Sequence, residues 1–329
     1  MTANSRSGKA EQDLILSSQV AQALAVIGDR WAMLVIRDVF LGFRRFEDLR
    51  HRSGAARGTL ASRLKRLVEN GILYRNPYQM SPPRYEYRLT DKGLDLYPVI
   101  LSVWNWDTRW GSGSESHPAL VHKHCGHAMH AEFRCSACAE PITMYSVRFV
   151  PGAPDSKGAA VPARFQRRSK KDSKSSQAAD QRFFHTLDVI GDRWTGLVTA
   201  AAYFGLRRYD DIAKGIGIAT NILSDRLKLL VHHGIMERKA YQKRPVRYEY
   251  RLTEKGMDLY LVALTMHEWA NRWIVTPDRR PLELIHRPCG EPLVSAMVCS
   301  ECGEALKPED VYFDRDAYRP RRAAAHANR

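Results

Sequence analysis

The six cysteines of the chain fall in two matching clusters whose spacing suits metal binding. The first, at 122–138, reads HKHCGHAMHAEFRCSAC, and the second, at 286–302, reads HRPCGEPLVSAMVCSEC. Each has the spacing His-x2-Cys-x9-Cys-x2-Cys, and thiolates with an imidazole are the usual ligands of tetrahedral structural zinc. We therefore predict two structural zinc sites, one within each cluster. The predicted ligands are His122, Cys125, Cys135 and Cys138 in the first site and His286, Cys289, Cys299 and Cys302 in the second.

Three thiolates and one imidazole fill all four positions of such a site, so we expect no open catalytic position. The first cluster also holds His124, His127 and His130, but only His122 has a counterpart in the second cluster. Two alternatives stay open. The Cys-x2-Cys pairs could form disulfides, either as a redox switch or in a thiol oxidoreductase, or each Cys/His segment could be a metal-free remnant that merely extends its domain.

The sequence contains an internal repeat. VIGDRW at 26–31 returns at 189–194, and RYEYRLT at 84–90 returns at 247–253, each after 163 residues. The two Cys/His clusters are related in the same way, with a separation of 164 residues between equivalent positions. Fixed-period self-similarity marks repeated structural units, so we predict two copies of one module of about 130 residues.

Within the first copy, apolar spacing predicts four helices, two strands and a last helix. Val20, Leu24 and Ile27 share one face of a first helix, and Leu60, Leu64 and Leu67 share one face of a helix at 57–69. Strand patterns follow at 72–76 and 84–89, and Thr90 can cap one final helix that carries Leu94. The second copy repeats this order, with its corresponding helix at 220–232.

The second, third and fourth of these helices, followed by a two-stranded wing, describe a winged helix-turn-helix. The strings IGDRW, FEDLR, TLASRLKRLVENGIL and PPRYEYRLTDKGLDL, with their second-copy equivalents, resemble the HxlR family of bacterial transcriptional regulators. The resemblance implies a cytoplasmic, sequence-specific DNA-binding regulator without catalysis. It also implies pairing through the first and last helices, so the tandem copies suggest an intramolecular pseudo-dimer, with a homodimer as the alternative.

The fold class predicted is mainly α with small β wings, as tandem winged helix-turn-helix domains that each carry a short ribbon-like extension. The boundaries are a flexible N-terminus at 1–15, winged domains at 16–114 and 181–277, Cys/His ribbons at 115–150 and 278–315, a basic flexible linker at 151–180 and a basic tail at 316–329.

Recognition helices at 57–69 and 220–232 would enter the major groove, and the wings would contact the backbone. Short hydroxyl, Asn and Arg side chains can read base edges or hold phosphates. The candidate DNA contacts are Arg57, Thr59, Ser62, Arg63 and Arg66 on the first helix, Arg75 and Arg84 in the first wing, Thr220, Asn221, Ser224, Arg226 and Lys228 on the second helix, and Lys243, Arg244 and Arg247 in the second wing.

Composition agrees with a nucleic-acid partner. The 329 residues carry a formal net charge of +15, which favours polyanions. We therefore expect a transcriptional regulator of double-stranded DNA, acting as a repressor, with an unknown small-molecule effector as a further partner and no membrane. An RNA-binding or protein-binding module is the alternative. Phosphate-binding loops and nucleophile motifs do not stand out, so we expect no enzyme.

Overall fold

The computed structural model describes residues 14–111, 119–152, 186–187, 189 and 191–314. Most of the predicted N-terminal segment 1–15, most of the linker 151–180 and the tail 316–329 lie outside these ranges. At the edge of the first segment, Ile15 is described and is buried in the core.

The first copy begins with four helices because its caps and apolar stripes fall at matching intervals. These are α1 Gln19–Ile27, α2 Arg30–Phe40, α3 Phe46–Ser53 and α4 Arg57–Glu69. Ser18 and Asp29 cap α1 and α2 by accepting backbone N–H groups. In α4, Leu60, Leu64 and Leu67 are buried against the other helices, as predicted.

An antiparallel wing and two helices complete the first domain. They are β1 Leu73–Met80, β2 Pro83–Leu89, α5 Asp91–Leu94 and α6 Tyr97–Trp110. Thr90 caps α5 as predicted, but the single last helix is in fact two helices. The chain bends after α5, and Pro98, which lacks an N–H, lies in the first turn of α6. Leu94 consequently lies exposed instead of in the apolar stripe.

The second copy repeats this arrangement. Its elements are α7 Arg193–Tyr203, α8 Tyr209–Ile216, α9 Thr220–His232, β7 Met236–Lys243, β8 Val246–Leu252, α10 Glu254–Asp258 and α11 Tyr260–Trp273. Both domains are therefore winged helix-turn-helix folds, and α4 and α9 are the predicted recognition helices. Within the described ranges no single helix is long and apolar enough to cross a bilayer, although α1 and α2 pass together as a pair bent by 78°.

The two copies pack through contacts that occur twice. Trp106 Nε1 donates to the carbonyl of Lys255 at 2.9 Å, and Trp269 Nε1 donates to the carbonyl of Lys92 at 2.9 Å. These residues are exchanged by the repeat offset of 163. A self-complementary interface of this kind is what a two-fold axis generates between identical subunits. The copies therefore form a pseudo-two-fold pair within one chain.

The outer part of the interface follows the same rule. Trp110 donates to Asp258 at 2.7 Å, and Trp273 donates to Asp95 at 2.7 Å. At the centre, Ser102 and Thr265 hydroxyls meet at 3.2 Å, which places equivalent positions of α6 and α11 against each other at the axis. Helix α1 of the first copy also packs along α11 of the second. One continuous apolar core consequently runs through both domains.

The ribbon segments are interleaved between the copies. Their strands are β3 Ala119–His122, β4 Ala128–Met129, β5 Ala131–Cys135, β6 Val147–Pro151, β9 Leu282–His286, β10 Ser295–Cys299 and β11 Val311–Asp314. The pairs β5 with β10, β6 with β9 and β3 with β11 are antiparallel and each joins one copy to the other. Neither ribbon is therefore a separate unit.

Candidate metal centres and nucleic-acid interface

The eight predicted ligands do come together in two clusters, but each cluster draws on both copies. His122 and Cys125 meet Cys299 and Cys302, while Cys135 and Cys138 meet His286 and Cys289. The prediction that each copy closes its own site is therefore wrong. The antiparallel pairing of β5 with β10 explains the exchange, because it carries each Cys-x2-Cys pair across the pseudo-two-fold axis.

Distances within the first cluster fit a tetrahedral ion. Cys125 Sγ lies 3.9 Å from Cys299 Sγ, and His122 Nδ1 lies 3.6 Å from Cys125 Sγ and 3.3 Å from Cys302 Sγ. Zinc bonds of about 2.3 Å to sulfur and 2.0–2.1 Å to nitrogen would place two sulfurs about 3.8 Å apart and a sulfur and a nitrogen about 3.6 Å apart. The cluster is already close to that geometry.

The second cluster repeats these values. Cys135 Sγ and Cys289 Sγ are 4.0 Å apart, and His286 Nδ1 lies 3.3 Å from Cys138 Sγ and 3.4 Å from Cys289 Sγ. All ligand atoms of a cluster lie within 4.8 Å of one another, and the six cysteines, all within the described ranges, are free thiols. The residues present therefore fit two divalent metal ions.

A tight backbone turn follows each His-x2-Cys pair and orients the candidate ligands. After the His-x2-Cys pair, Gly126 has φ 73° and its N–H bonds the His122 carbonyl at 2.8 Å. This left-handed conformation favours glycine, and Gly290 repeats it with φ 77°. The backbone N–H of His127, together with hydrogen bonds from the side chains of His127, His122 and Cys302, lowers the pKa of the Cys125 thiol to about 6. The turn thus favours the thiolate, which is the form that binds metal.

The first recognition helix α4 exposes fewer of its predicted contacts than its pattern suggests. Arg57 and Ser62 are exposed and Thr59 is half-buried. Arg57 also pairs with Glu47 at 3.1 Å. The guanidinium of Arg66 donates to the backbone carbonyl of Ala25, so it ties α4 to α1.

Arg63 and Arg226 do not point to solvent, and the prediction of direct DNA contact is corrected for both. Arg63 is only 9% exposed, and its Nε lies 2.9 Å from Asp29, the cap of α2. Arg226 Nε lies 2.9 Å from Asp192, the cap of α7. Each arginine therefore fixes its recognition helix to the start of the domain's core helix. Sequence reasoning missed the two aspartates, although IGDRW and the paired arginine recur together in both copies.

The second recognition helix presents a different surface. Thr220, Asn221 and Lys228 are exposed and Ser224 is half-buried. At the position equivalent to Ser62 the helix carries an exposed acid, Asp225. Neither α4 nor α9 has a side-chain cap, since both follow an alanine. Open N–H groups at a helix start are suited to phosphate oxygens.

Both wings are exposed and basic. Arg75 and Arg84 in the first and Lys243, Arg244 and Arg247 in the second are all exposed. Aromatic side chains accompany them, and guanidinium groups lie over these rings: Arg45 over Tyr78 at 4.9 Å, Arg208 over Tyr241 at 4.6 Å and Arg238 over Tyr248 at 4.0 Å. Tyr85 and Tyr248 also lie exposed on the wings.

Comparison with known proteins covers both domains. The HxlR-like helix-turn-helix family matches residues 26–115 and again residues 189–278, more than half of the chain. The HTH-type transcriptional regulator Rv3095 of Mycobacterium tuberculosis is 38% identical over 125 residues, which is 38% of this chain and 79% of that protein. The HTH-type transcriptional regulator YodB of Bacillus subtilis is 36% identical over 91 residues, or 27% of this chain and 81% of YodB.

Among solved structures, the candidate transcription factor PA1374 of Pseudomonas aeruginosa is 32% identical, with a TM-score of 0.33. The match covers 42% of this chain and 92% of that chain.

Proposed function

Because the chain belongs to the HxlR-like helix-turn-helix family, we propose that it is a transcriptional regulator that binds double-stranded DNA as one pseudo-dimeric chain. The observation that carries this proposal is the pair of exposed recognition helices and basic wings on two domains related by a self-complementary interface. Dimeric regulators bind two half-sites about one helical turn apart, roughly 34–36 Å. Here both halves are supplied by a single polypeptide.

The two half-sites differ in our proposal. Equivalent positions hold Arg57 in the first helix and Thr220 in the second, and Ser62 in the first and Asp225 in the second. Asn221, exposed at the start of α9, suits a bidentate contact with adenine, whereas arginine suits guanine. The operator is therefore a pair of related but unequal half-sites.

Selection from random duplexes, followed by titration of the selected site with competitor at two salt concentrations, tests this function. Asn221→Ala should relax base preference at one position of one half-site and cost about 1–3 kcal/mol there. Lys228→Ala should weaken binding to all sequences alike and reduce the salt dependence. Arg148→Ala, an exposed arginine on ribbon strand β6, is the matched control and should change neither. Recovery of no preferred duplex, or preferential binding of RNA, would contradict the proposal.

We further infer that the protein is a cytoplasmic repressor without enzymatic activity, responsive to a small-molecule effector. Binding at a site that overlaps a promoter blocks polymerase, and transcription in vitro from the selected site should fall as protein is added. An increase in transcript would show activation instead.

The metal centres are part of the same proposal. Three thiols and one imidazole at each cluster support structural zinc rather than a thiol oxidoreductase, because the four ligands leave no position open. Bound zinc would join the two copies at both ribbons. Elemental analysis of the purified protein should find two zinc ions per chain, and cobalt substitution should give the visible spectrum of a tetrahedral thiolate site. Absence of metal together with Cys-to-Cys disulfides would favour the redox alternative.

A further inference from the structure

One arginine beside each wing is absent from the predicted DNA contacts. Arg45 immediately precedes α3, and Arg208 immediately precedes α8. The two residues are related by the repeat offset of 163, and both are exposed. Helical spacing could not single them out, because they lie in the short connection between two helices.

The backbone of this connection joins the wing. Arg45 forms a β-bridge with Glu86 of β2, and Arg208 forms the equivalent bridge with Glu249 of β8. Each arginine therefore belongs at once to the start of a helix and to the edge of a wing. The position from which its side chain leaves the backbone is fixed relative to both.

A tyrosine ring holds each guanidinium. Arg45 Cζ lies 4.9 Å from the centroid of the Tyr78 ring, and Arg208 Cζ lies 4.6 Å from the centroid of the Tyr241 ring. The two tyrosines are also related by 163 residues, and both are exposed. A guanidinium over an aromatic face is attracted by the negative potential of the ring. The side chain is thus ordered in advance, so it loses less conformational entropy when a partner binds.

Acids on the same sheet are already paired with other cations. Glu86 lies 2.6 Å from Arg88 Nη2 and accepts from Asn76 at 2.9 Å, and these hydrogen bonds lower the pKa of its carboxyl. In the second wing, Glu249 accepts from Arg251 Nε at 2.7 Å. Among the described residues, neither of the two stacked arginines has an acidic partner or a side-chain hydrogen bond, so their N–H donors are available to an anion.

The adjoining helix ends limit where an anion can lie. The first turn of α3 carries Glu47 and Asp48, and the first turn of α8 carries Asp210 and Asp211. These carboxylates repel a phosphate from the open N–H groups at the helix start. A phosphate drawn to either arginine would therefore approach it from the wing side.

We propose that Arg45 and Arg208 are a pair of DNA-backbone contacts, one for each half-site, in which the guanidinium held over its tyrosine donates to a phosphate oxygen. The planar fork of arginine matches the geometry of a phosphate. Such a contact carries no base information, but it sets the orientation of the wing and its recognition helix on the duplex. This assignment rests on the proposed DNA-binding function.

The comparison of the two copies supports a phosphate contact over a base contact. Positions on the recognition helices differ between the copies, with Arg57 replaced by Thr220 and Ser62 by Asp225. The arginine–tyrosine pair is instead identical in residue type and nearly identical in distance. A phosphate is the one group that two half-sites of different base sequence share.

Titration of the full chain at several salt concentrations tests the contact, with the selected duplex and a duplex of random sequence as probes. Each phosphate contact adds about 0.9 to the slope of log K against log salt concentration. Arg45→Ala and Arg208→Ala should each reduce that slope by about 0.9 and weaken binding to both duplexes roughly eightfold near 0.1 M salt. Arg148→Ala removes an equally exposed charge from the ribbon and should change neither quantity.

The tyrosine separates a phosphate contact from a purely structural pair. Tyr78→Ala leaves the charge of Arg45 in place but frees its side chain, so binding should weaken about two- to fivefold with an unchanged salt slope. Tyr78→Phe keeps the ring and should bind like the native chain. A pair that only steadied the wing would give equal losses in Arg45→Ala and Tyr78→Ala, with the native salt slope in both. Thermal melts check that each variant is folded.

An unchanged salt slope in folded Arg45→Ala and Arg208→Ala, or an equal loss in Arg148→Ala, would overturn the contact. The two proposals can fail separately. A native chain that selects a duplex, with arginine variants that keep its slope, would refute only the contact. Failure to select any duplex, with a reduced slope on random DNA in the arginine variants, would refute only sequence-specific binding.

Discussion

Exchange of ligands between the two copies makes a prediction about metal content that distinguishes the observed clusters from sites within each copy. Two double variants change the same number of cysteines. Cys125→Ser with Cys302→Ser removes two ligands from one observed cluster, whereas Cys125→Ser with Cys138→Ser removes one ligand from each. The two variants share Cys125 and differ only in which second thiol is lost.

The expected zinc content follows from this grouping. If the native protein holds two ions per chain, the double variant that lacks Cys125 and Cys302 should retain about one ion after dialysis against a mild chelator, since the other cluster is intact. The double variant that lacks Cys125 and Cys138 should retain no ion, since each site is left with three ligands. Sites closed within one copy would give the opposite result.

Inductively coupled plasma mass spectrometry on monodisperse protein provides the measurement. The single variant Cys125→Ser, expected to retain one ion, is the control for chelator strength. The reasoning is refuted if the Cys125 and Cys138 double variant keeps one ion while the Cys125 and Cys302 double variant keeps none. Folding of each variant is checked by circular dichroism, because a lost ion also removes a link between the copies.

Three further predictions concern stability, each measured by denaturant unfolding. Arg63→Met should lower the free energy of unfolding by about 2 kcal/mol, because it leaves the partly buried carboxylate of Asp29 without its partner. Adding Asp29→Ala should lower it by only about 1 kcal/mol more, for the lost helix cap. Additive costs of the two substitutions would argue against the ion pair. Between pH 7 and pH 5, the free energy of unfolding of the native chain should fall by about 2 kcal/mol more than that of the His267→Gln variant. The reason is that His267 binds a proton near pH 6.5 in the unfolded chain but only near pH 3 in the folded chain, where it is buried. An equal dependence of stability on pH in the two proteins would contradict the burial of His267 as a neutral group. Gly93→Ala should lower the free energy of unfolding by at least about 2 kcal/mol, because the new Cβ would collide with a backbone carbonyl. Gly58→Ala, where the Cβ meets open space, should raise it by about 0.5–1 kcal/mol. Similar effects at the two glycines would refute the predicted collision at Gly93.

Sequence reasoning recovered the repeated winged domains because their local signals agree with one another. The leucine stripe of α4, the cap at Thr90 and the alternating wing strands are all decided within short windows of sequence. The double appearance of these signals at an offset of 163 indicated two copies, and the resemblance to the HxlR family implied that they would pair. The eight residues of the two Cys/His clusters were found for the same reason, because their spacing is local.

The partners of those ligands could not be found in this way. Both copies carry the same ligand spacing, so closure within a copy and exchange between copies satisfy the sequence equally well. The choice depends on β5 pairing with β10 across the axis, which is a contact between segments far apart in the chain. Helical periodicity predicts that Arg63 faces outward, because it does not belong to the leucine stripe of α4. Its partner Asp29 lies 34 residues earlier in the chain, beyond the reach of such a local pattern.

The central claim is that one chain supplies both halves of a DNA-binding pseudo-dimer. Light scattering of the complex with a selected duplex, coupled to size-exclusion chromatography, tests it most directly. The account predicts a complex mass equal to the duplex plus one chain of 37.5 kDa, with both half-sites protected from cleavage. A complex that contains two chains on the same duplex, each protecting one half-site, would contradict it.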